Sequence, residues 1–197
     1  MKLISILVFL FFSSQINCQI LSGEYNSILK IAFNPKNNLI TGFFEDYTGY
    51  DESGGNAKFS CIFYLKGTYN GHSCEIETYY PINIDSDKII GTLKIFDSKR
   101  LSIKLDKEHG GCWNVFHFAD DFVDFELSKK TDWLEIRYID IDKSYFYKDK
   151  NEESKQKAYL IKGDIVYIDN IENDWVHCIF NGKSTSEGWI KKETINQ

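Results

Sequence analysis

The chain has 197 residues, of which 43% are hydrophobic and 16% aromatic, and it carries a formal net charge of −6. With only two prolines and this hydrophobic content, the composition excludes a disordered or collagen-like chain. The acidic balance argues against nucleic acid as a partner. The 15 Phe and 12 Tyr residues favour pleated strands over helices, and we therefore expect an all-β protein.

The N-terminal residues indicate the cellular compartment of the protein. A positively charged start is followed by an apolar run over residues 3–12, which is typical of a secretory signal peptide over residues 1–18. This run is too short to span a membrane, which takes about 20 residues. Cleavage after Cys18 would leave Gln19 first, whereas acylation of Cys18 would make the protein a lipoprotein. We expect a secreted or periplasmic protein without membrane insertion.

The strands of the first part are indicated by apolar and polar residues that alternate with period two, and no window keeps a helical period for three turns. The clearest strand covers residues 58–66, where one face carries four apolar side chains: Phe59, Cys61, Phe63 and Leu65. Further strands are expected at residues 24–33, 39–46, 74–80, 113–118 and 122–127. Up-and-down strands at this spacing predict a β-barrel or sandwich domain over residues 19–127.

A hairpin is predicted from residues 89–96 and 101–105, which are joined by a short polar turn. In its second strand, Leu101, Ile103 and Leu105 face inward. Ser102 and Lys104 are then expected to face outward, so that the hairpin has one wet face.

Four cysteines remain after the predicted cleavage, in a compartment that permits disulfides: Cys61, Cys74, Cys112 and Cys178. They allow three connectivities. We predict the Cys61–Cys112 pair, because Gly110 and Gly111 let the backbone beside Cys112 approach another strand. The competing pair, Cys61 with Cys74, would bridge neighbouring hairpin strands, where the geometry is often strained.

Metal binding is the alternative use of these thiols, since histidines lie near three of them: His72, His109 and His177. The spacings do not repeat as a paired zinc motif, and an oxidising compartment competes for the thiolates. We therefore predict no metal site and no cofactor.

A polar stretch at residues 127–132 marks the predicted boundary to a second domain, residues 133–197. Short strands are expected there at residues 133–139, 144–147, 157–161, 165–168, 175–180 and 188–190. A domain of about 60 residues has the size of the smallest barrels that fold alone.

Three short motifs of this second domain are typical of a known domain family: Lys162-Gly163-Asp164, Trp175-Val176 and Gly188-Trp189-Ile190. In this order and spacing they resemble the bacterial Src-homology-3-like domain, and the resemblance covers about residues 133–197. It implies a small barrel of a kind that mostly targets or scaffolds, and some members bind cell-wall peptides.

Tyr145, Tyr147 and Trp175 are the candidate ligand-binding residues, because exposed aromatic rings pack ligands at low entropic cost. They lie beside a charged loop, residues 148–155. The alternative is that Trp175, with Trp189, fills the core of the small domain. We expect a non-enzymatic binding protein whose partner is a peptidoglycan fragment or a protein surface.

Catalysis would use Cys112 as a nucleophile, and its base would be one of four nearby residues: His109, His117, Asp120 or Asp121. We predict no catalytic site. A catalytic cysteine usually lies at a helix N-terminus or in another electropositive place that lowers the pKa of its thiol, whereas Cys112 opens an expected strand in an acidic chain. The alternative function is an inhibitor or immunity-type protein that blocks a secreted enzyme through its N-terminal barrel. The acidic surface would suit a basic target such as a lysozyme.

Overall fold

The computed structural model describes residues 20–71, 73–82 and 88–197. The predicted signal peptide, the Cys18 and Gln19 alternatives and His72 lie outside the described residues. The described part is built from fourteen strands and three short 3-10 turns, which confirms the all-β fold class. In these ranges no helix has the length and apolar character needed to cross a bilayer.

Eight antiparallel strands form a closed barrel: β1 (Gly23–Tyr25), β2 (Leu29–Asn34), β3 (Leu39–Thr48), β4 (Phe59–Thr68), β5 (Ser73–Tyr79), β6 (Ile89–Ile95), β7 (Arg100–Leu105) and β8 (Val123–Lys130). Each strand pairs with the next along the chain, and β8 pairs back onto β1. Of the two predicted architectures, barrel and sandwich, the structure has the barrel. Its closed sheet has no free edge strand.

Alternation places one face of each strand inside the barrel. In β4 the buried residues Cys61, Phe63 and Leu65 point inward as predicted, but Phe59 is 40% exposed because it lies at the start of the strand, at the barrel rim. The predicted hairpin is β6 with β7, and Leu101, Ile103 and Leu105 are buried.

Ser102, expected on the wet face of this hairpin, is buried. It pairs across the sheet with Lys94, whose ammonium lies 3.7 Å from the centre of the Phe122 ring. The cross-strand neighbour of this small side chain is therefore a long lysine stem, and such stems lie along the protein surface with their charged ends in water.

The strand expected at residues 24–33 is divided into β1 and β2. Asn26 and Ser27 have φ angles of 48° and 64°, and the backbone N–H of Ile28 donates to the Tyr25 carbonyl at 3.2 Å. These left-handed residues form a tight turn, which asparagine tolerates better than most residues.

The strand expected at residues 113–118 is wrong, because Cys112–Asn114 forms a 3-10 turn. The N–H groups of Val115 and Phe116 both donate to the Cys112 carbonyl at 2.8 Å. We call residues 106–122 the barrel plug. Phe118 of this segment is fully buried in the barrel core. Phe116 and Phe118, whose alternation suggested a strand, instead anchor this segment by packing in the barrel core.

Six strands form the second sheet: β9 (Glu135–Tyr138), β10 (Lys143–Tyr147), β11 (Lys155–Ile161), β12 (Ile165–Glu172), β13 (Trp175–Asn181) and β14 (Thr185–Lys191). Their order is β11-β10-β14-β13-β12-β9. The sheet encloses its own core of buried residues, which are mostly aliphatic: Ile139, Phe146, Leu160, Val166, Ile168, Val176, Cys178, Ile190 and Ile195.

A second apolar cluster joins the barrel to this sheet. Trp133, in the connection between them, stacks on Tyr167 with ring centres 4.4 Å apart and packs in one buried cluster with Ala32 and Phe43 of the barrel. The hydroxyl of Tyr64 donates to the Ile136 carbonyl at 3.1 Å. The two units therefore pack directly on each other, although the chain between β8 and β9 is polar at its start.

A buried ion pair lies at the same junction. Glu135 and Arg137 are 7% and 9% exposed, and the Arg137 Nε donates to Glu135 Oε2 at 2.7 Å. The amide of Asn34, a barrel residue, donates to the other Glu135 oxygen at 2.9 Å. A buried carboxylate is tolerated only when it is paired and hydrogen-bonded in this way.

Candidate functional site

Two of the three predicted ligand-binding residues are in contact. The Tyr147 and Trp175 rings meet edge to face with centres 4.9 Å apart. Trp175 is partly buried, whereas Tyr147 is only 7% exposed and lies beneath its neighbours. A ligand would therefore contact Trp175, and Tyr147 would hold the Trp175 ring in place from below.

Strand register extends this contact into a larger surface. Tyr147 pairs with Trp189 across β10 and β14, and Trp189 pairs with His177 across β14 and β13. We call the surface formed by Tyr147, Trp175, His177 and Trp189 the aromatic face. The alternative, in which Trp175 and Trp189 fill the core, does not hold, because both side chains are partly exposed.

Sequence reasoning missed His177 and Trp189 as members of this face. The signal was present in the alternation: Val176 and Ile190 are fully buried, so the residues on either side of them must point the other way. Gly188 lets the strands approach closely here, since a Cβ at this position would lie 3.1 Å from the Tyr147 carbonyl oxygen.

Lysine side chains lie over both tryptophan rings. The Lys191 ammonium is 3.9 Å from the Trp175 ring centre, and the Lys150 ammonium is 4.9 Å from that of Trp189. Cation–π contacts of this kind contribute about 0.5–1 kcal/mol at exposed sites. The predicted charged loop therefore contributes to the site directly, through Lys150.

Each of these lysines is paired with a glutamate. Lys191 bonds Glu152 at 2.6 Å, and Lys150 bonds Glu172. The hydrogen bonds from the lysines hold the pKa values of both carboxyl groups below their ordinary value. At neutral pH the aromatic face thus carries two fixed ammonium groups whose counterions are exposed carboxylates.

Hydrogen bonds orient two polar groups of the aromatic face. His177 Nδ1 lies 2.7 Å from a carboxylate oxygen of Asp169, which orients the imidazole ring beside Trp189, at 5.3 Å between ring centres. The Tyr147 hydroxyl donates to Glu152 at 3.2 Å. Burial, and then this hydrogen bond, raise the pKa of Tyr147, so its hydroxyl keeps its proton.

Tyr145, the third predicted residue, lies in a neighbouring cluster. Its ring centre is 5.8 Å from that of Tyr159, and the Lys155 ammonium lies 3.6 Å above it. A backbone irregularity between Tyr145 and Tyr147 shifts the pairing with β11. The structure therefore divides the predicted trio into a Tyr147 and Trp175 pair and a separate Tyr145 cluster.

The predicted disulfide is confirmed, with Cys61 and Cys112 bonded and their Cα atoms 4.4 Å apart. Gly111 makes the approach possible: its φ is 88°, and a Cβ there would lie 2.3 Å from the Ser60 carbonyl oxygen. Cys74 and Cys178 are buried free thiols. Burial raises the pKa of the Cys74 thiol to about 12, which keeps it protonated.

The disulfide excludes Cys112 both as a catalytic nucleophile and as a metal ligand. A disulfide sulfur has no thiolate to act as nucleophile or metal ligand. His109, one of the four candidate bases, is 2% exposed in the barrel core, where its ring stacks 5.3 Å from that of Phe63. Within the described ranges, no three His, Cys, Asp or Glu side chains lie in an arrangement that could hold a metal ion.

Comparison of the chain with protein-family models, with curated proteins and with solved structures found no match. Function therefore has to be argued from the geometry of the site.

Proposed function

We propose that this chain is an exported, non-enzymatic binding protein whose aromatic face binds cell-wall peptide. The supporting observation is the layered arrangement of this face: two partly exposed tryptophan rings, each under a lysine ammonium that is paired with an exposed glutamate. Partly exposed rings held by their neighbours offer contact area without a large loss of side-chain entropy.

The lysine–glutamate pairs suggest the class of ligand. A ligand carboxylate that replaced Glu152 on Lys191, or Glu172 on Lys150, would keep the charge balance of the pair, while its apolar groups packed on Trp175 or Trp189. Cell-wall peptides combine carboxylates with small apolar side chains. Ammonium–carboxylate bonds of this kind are stronger than neutral hydrogen bonds.

Two other observations support the proposal. The Cys61–Cys112 bond is of a type that persists in oxidising, extracytoplasmic compartments. The resemblance of residues 133–197 to bacterial Src-homology-3-like domains is supported by the size of the second sheet and by its separate core. We propose this identity for residues 133–197, with residues 19–127 as the barrel domain.

Co-sedimentation with purified peptidoglycan tests the proposal, using two tryptophan variants as a matched pair. Trp175→Ala removes a ring of the aromatic face, and Trp113→Ala removes a ring of the barrel plug that is 56% exposed. We expect Trp175→Ala to weaken retention about tenfold, equivalent to about 1.4 kcal/mol, and Trp113→Ala to leave it unchanged.

The proposal is wrong if the wild-type protein stays in the supernatant, or if both variants lose retention equally. Tyr147→Ala is a poor test because Tyr147 is buried, so its loss would disturb folding. Tyr147→Phe keeps the ring and removes only the hydroxyl bonded to Glu152, and it should retain binding within about twofold.

The second candidate is an inhibitor or immunity-type protein that blocks a secreted enzyme through the barrel. It is favoured by the exposed aromatic side chains at one end of the barrel, where Tyr47 and Tyr50 are 38% and 57% exposed. Retention of the protein by an immobilised basic lysozyme, with no retention by peptidoglycan, would favour this function over the first.

A further inference from the structure

A groove of about 250 Å³ lies on the outer wall of the barrel, where the barrel meets the turn that precedes β12. Its walls are largely apolar and aromatic, and it has one carboxylate: the lining includes Glu45, Tyr47, Ile62, Tyr80, Ile82 and Ile165. This groove is separate from the aromatic face, and neither proposed function assigns a ligand to it.

Strand alternation and one close contact form the groove. Phe43, Glu45 and Tyr47 alternate along β3 and therefore share the outer face of the barrel. On the opposite side, Gly163 lies against the tip of Ile82, since a Cβ on this glycine would be 3.2 Å from the Ile82 Cδ1. Both units of the protein thus supply a wall.

Glu45 is the charged group of the groove, and it is partly buried. One of its oxygens accepts a hydrogen bond from the Tyr47 hydroxyl. No ion pair among the described residues includes Glu45, and Lys162, in the adjacent turn, is instead paired with Asp140 at 3.9 Å. The groove therefore has a carboxylate between aromatic walls that pairs with no cationic side chain of the described residues.

Three side chains of the groove lining are also exposed to solvent. Tyr47, Tyr80 and Ile82 are 38%, 37% and 54% exposed. Apolar side chains that are exposed side by side mark interaction sites more often than isolated ones do. A carboxylate flanked by tyrosine rings is complementary to a cation with an apolar stem, which describes lysine and arginine side chains.

We propose that this groove binds one lysine or arginine side chain from the surface of a basic partner protein. The stem of the side chain packs between Tyr47, Tyr80 and Ile82, and its cationic head bonds Glu45. Glu45 accepts the Tyr47 hydroxyl through one oxygen, and no described residue bonds its other oxygen, which takes the cationic head. The proposal names a recognition site for the second candidate function and is independent of the aromatic face.

The probe is the peptide acetyl-Leu-Arg-Leu-amide, titrated into the isotopically labelled protein and followed by NMR to about 10 mM, since a single-residue site binds with a Kd of the order of 1 mM. We expect the amide signals of Glu45, Tyr47, Tyr80 and Gly163 to shift together. The same peptide with citrulline in place of arginine has nearly the same shape without the charge, and it should bind about tenfold more weakly.

Two variants with the same change in net charge separate this site from general electrostatic attraction. Glu45→Gln should raise the Kd about tenfold, whereas Glu52→Gln, at an exposed turn position, should change it less than about twofold. Trp175→Ala should leave the titration unchanged, so the two sites are tested separately. Absent shifts, equal binding of the citrulline peptide or equal effects of both glutamate variants would overturn the proposal.

Discussion

The barrel packs a cluster of phenylalanine rings in its core, whereas the second sheet carries two tryptophan rings on its surface. In the barrel, Phe44 packs within 6.0 Å, between ring centres, of Phe63, Phe116, Phe118 and Phe125. In the second sheet the core is mostly aliphatic, and both tryptophans lie on the outside under lysines. The phenylalanine cluster thus stabilises the barrel core, and the two tryptophans form part of a surface on the second sheet.

The largest expected effect separates these two uses of an aromatic ring. Phe118→Ala should lower the free energy of unfolding by about 3–5 kcal/mol, because it leaves a cavity among packed rings. Trp175→Ala should cost about 1 kcal/mol, since its ring is partly in water. Denaturant titrations of both variants give the two values, and similar losses would remove the distinction between the units.

The junction is the next place to test the comparison. Arg137→Met should cost about 3 kcal/mol, because the buried Glu135 carboxylate loses its cation. If the junction makes the units unfold together, the wild-type protein shows one transition in denaturant. The variant should then show two, followed separately by barrel and second-sheet signals, whereas a single sharp transition in the variant would mean that other junction contacts suffice.

A matched pair of glycines tests how the barrel plug is attached. Gly111→Ala should cost about 2 kcal/mol, because the new Cβ would lie 2.3 Å from the Ser60 carbonyl oxygen, at a positive φ. The neighbouring Gly110 has no atom within 4 Å of such a Cβ, so Gly110→Ala should be nearly neutral. Thermal unfolding compares them, and equal effects would contradict the close approach at Gly111.

The smallest expected effect is a pH response confined to the second sheet. Glu152 and Glu172 have pKa values lowered by their lysine partners, so the ion pairs are present above the ordinary value of 4.5 and are lost as the pH falls through the lowered pKa. Tryptophan fluorescence should therefore change in acid in the wild type. The change should be smaller in Lys150→Ala with Lys191→Ala; an identical change would assign it to other groups.

Much of the fold could be predicted from the sequence, because alternation and turn residues are local signals. Most strands appear within a few residues of their predicted positions. The Cys61–Cys112 bond was predicted from the two glycines beside Cys112, of which Gly111 makes the close approach. The prediction of a strand at residues 113–118 was wrong because tertiary contacts determine the backbone conformation of this segment. Phe116 and Phe118 alternate as strand residues do, yet they anchor the barrel plug.

The candidate site was harder to predict, because it depends on pairing between distant strands. Tyr147 and Trp175 were expected to take part in binding, but Trp189 was assigned to the core, although its buried neighbour Ile190 fixes its direction. Lys150 and Lys191 reach the tryptophan rings only in the folded chain. No local pattern identifies such contacts.

The most direct test of the proposed function compares the two units in one measurement, hydrogen exchange of the wild-type protein with and without a soluble peptidoglycan fragment. Bound fragment should slow exchange in residues 145–150 and 175–191, which carry the aromatic face, and should leave the barrel plug at its unbound rate. Protection confined to the barrel, or no protection at saturating fragment, would contradict the assignment of binding to the second sheet.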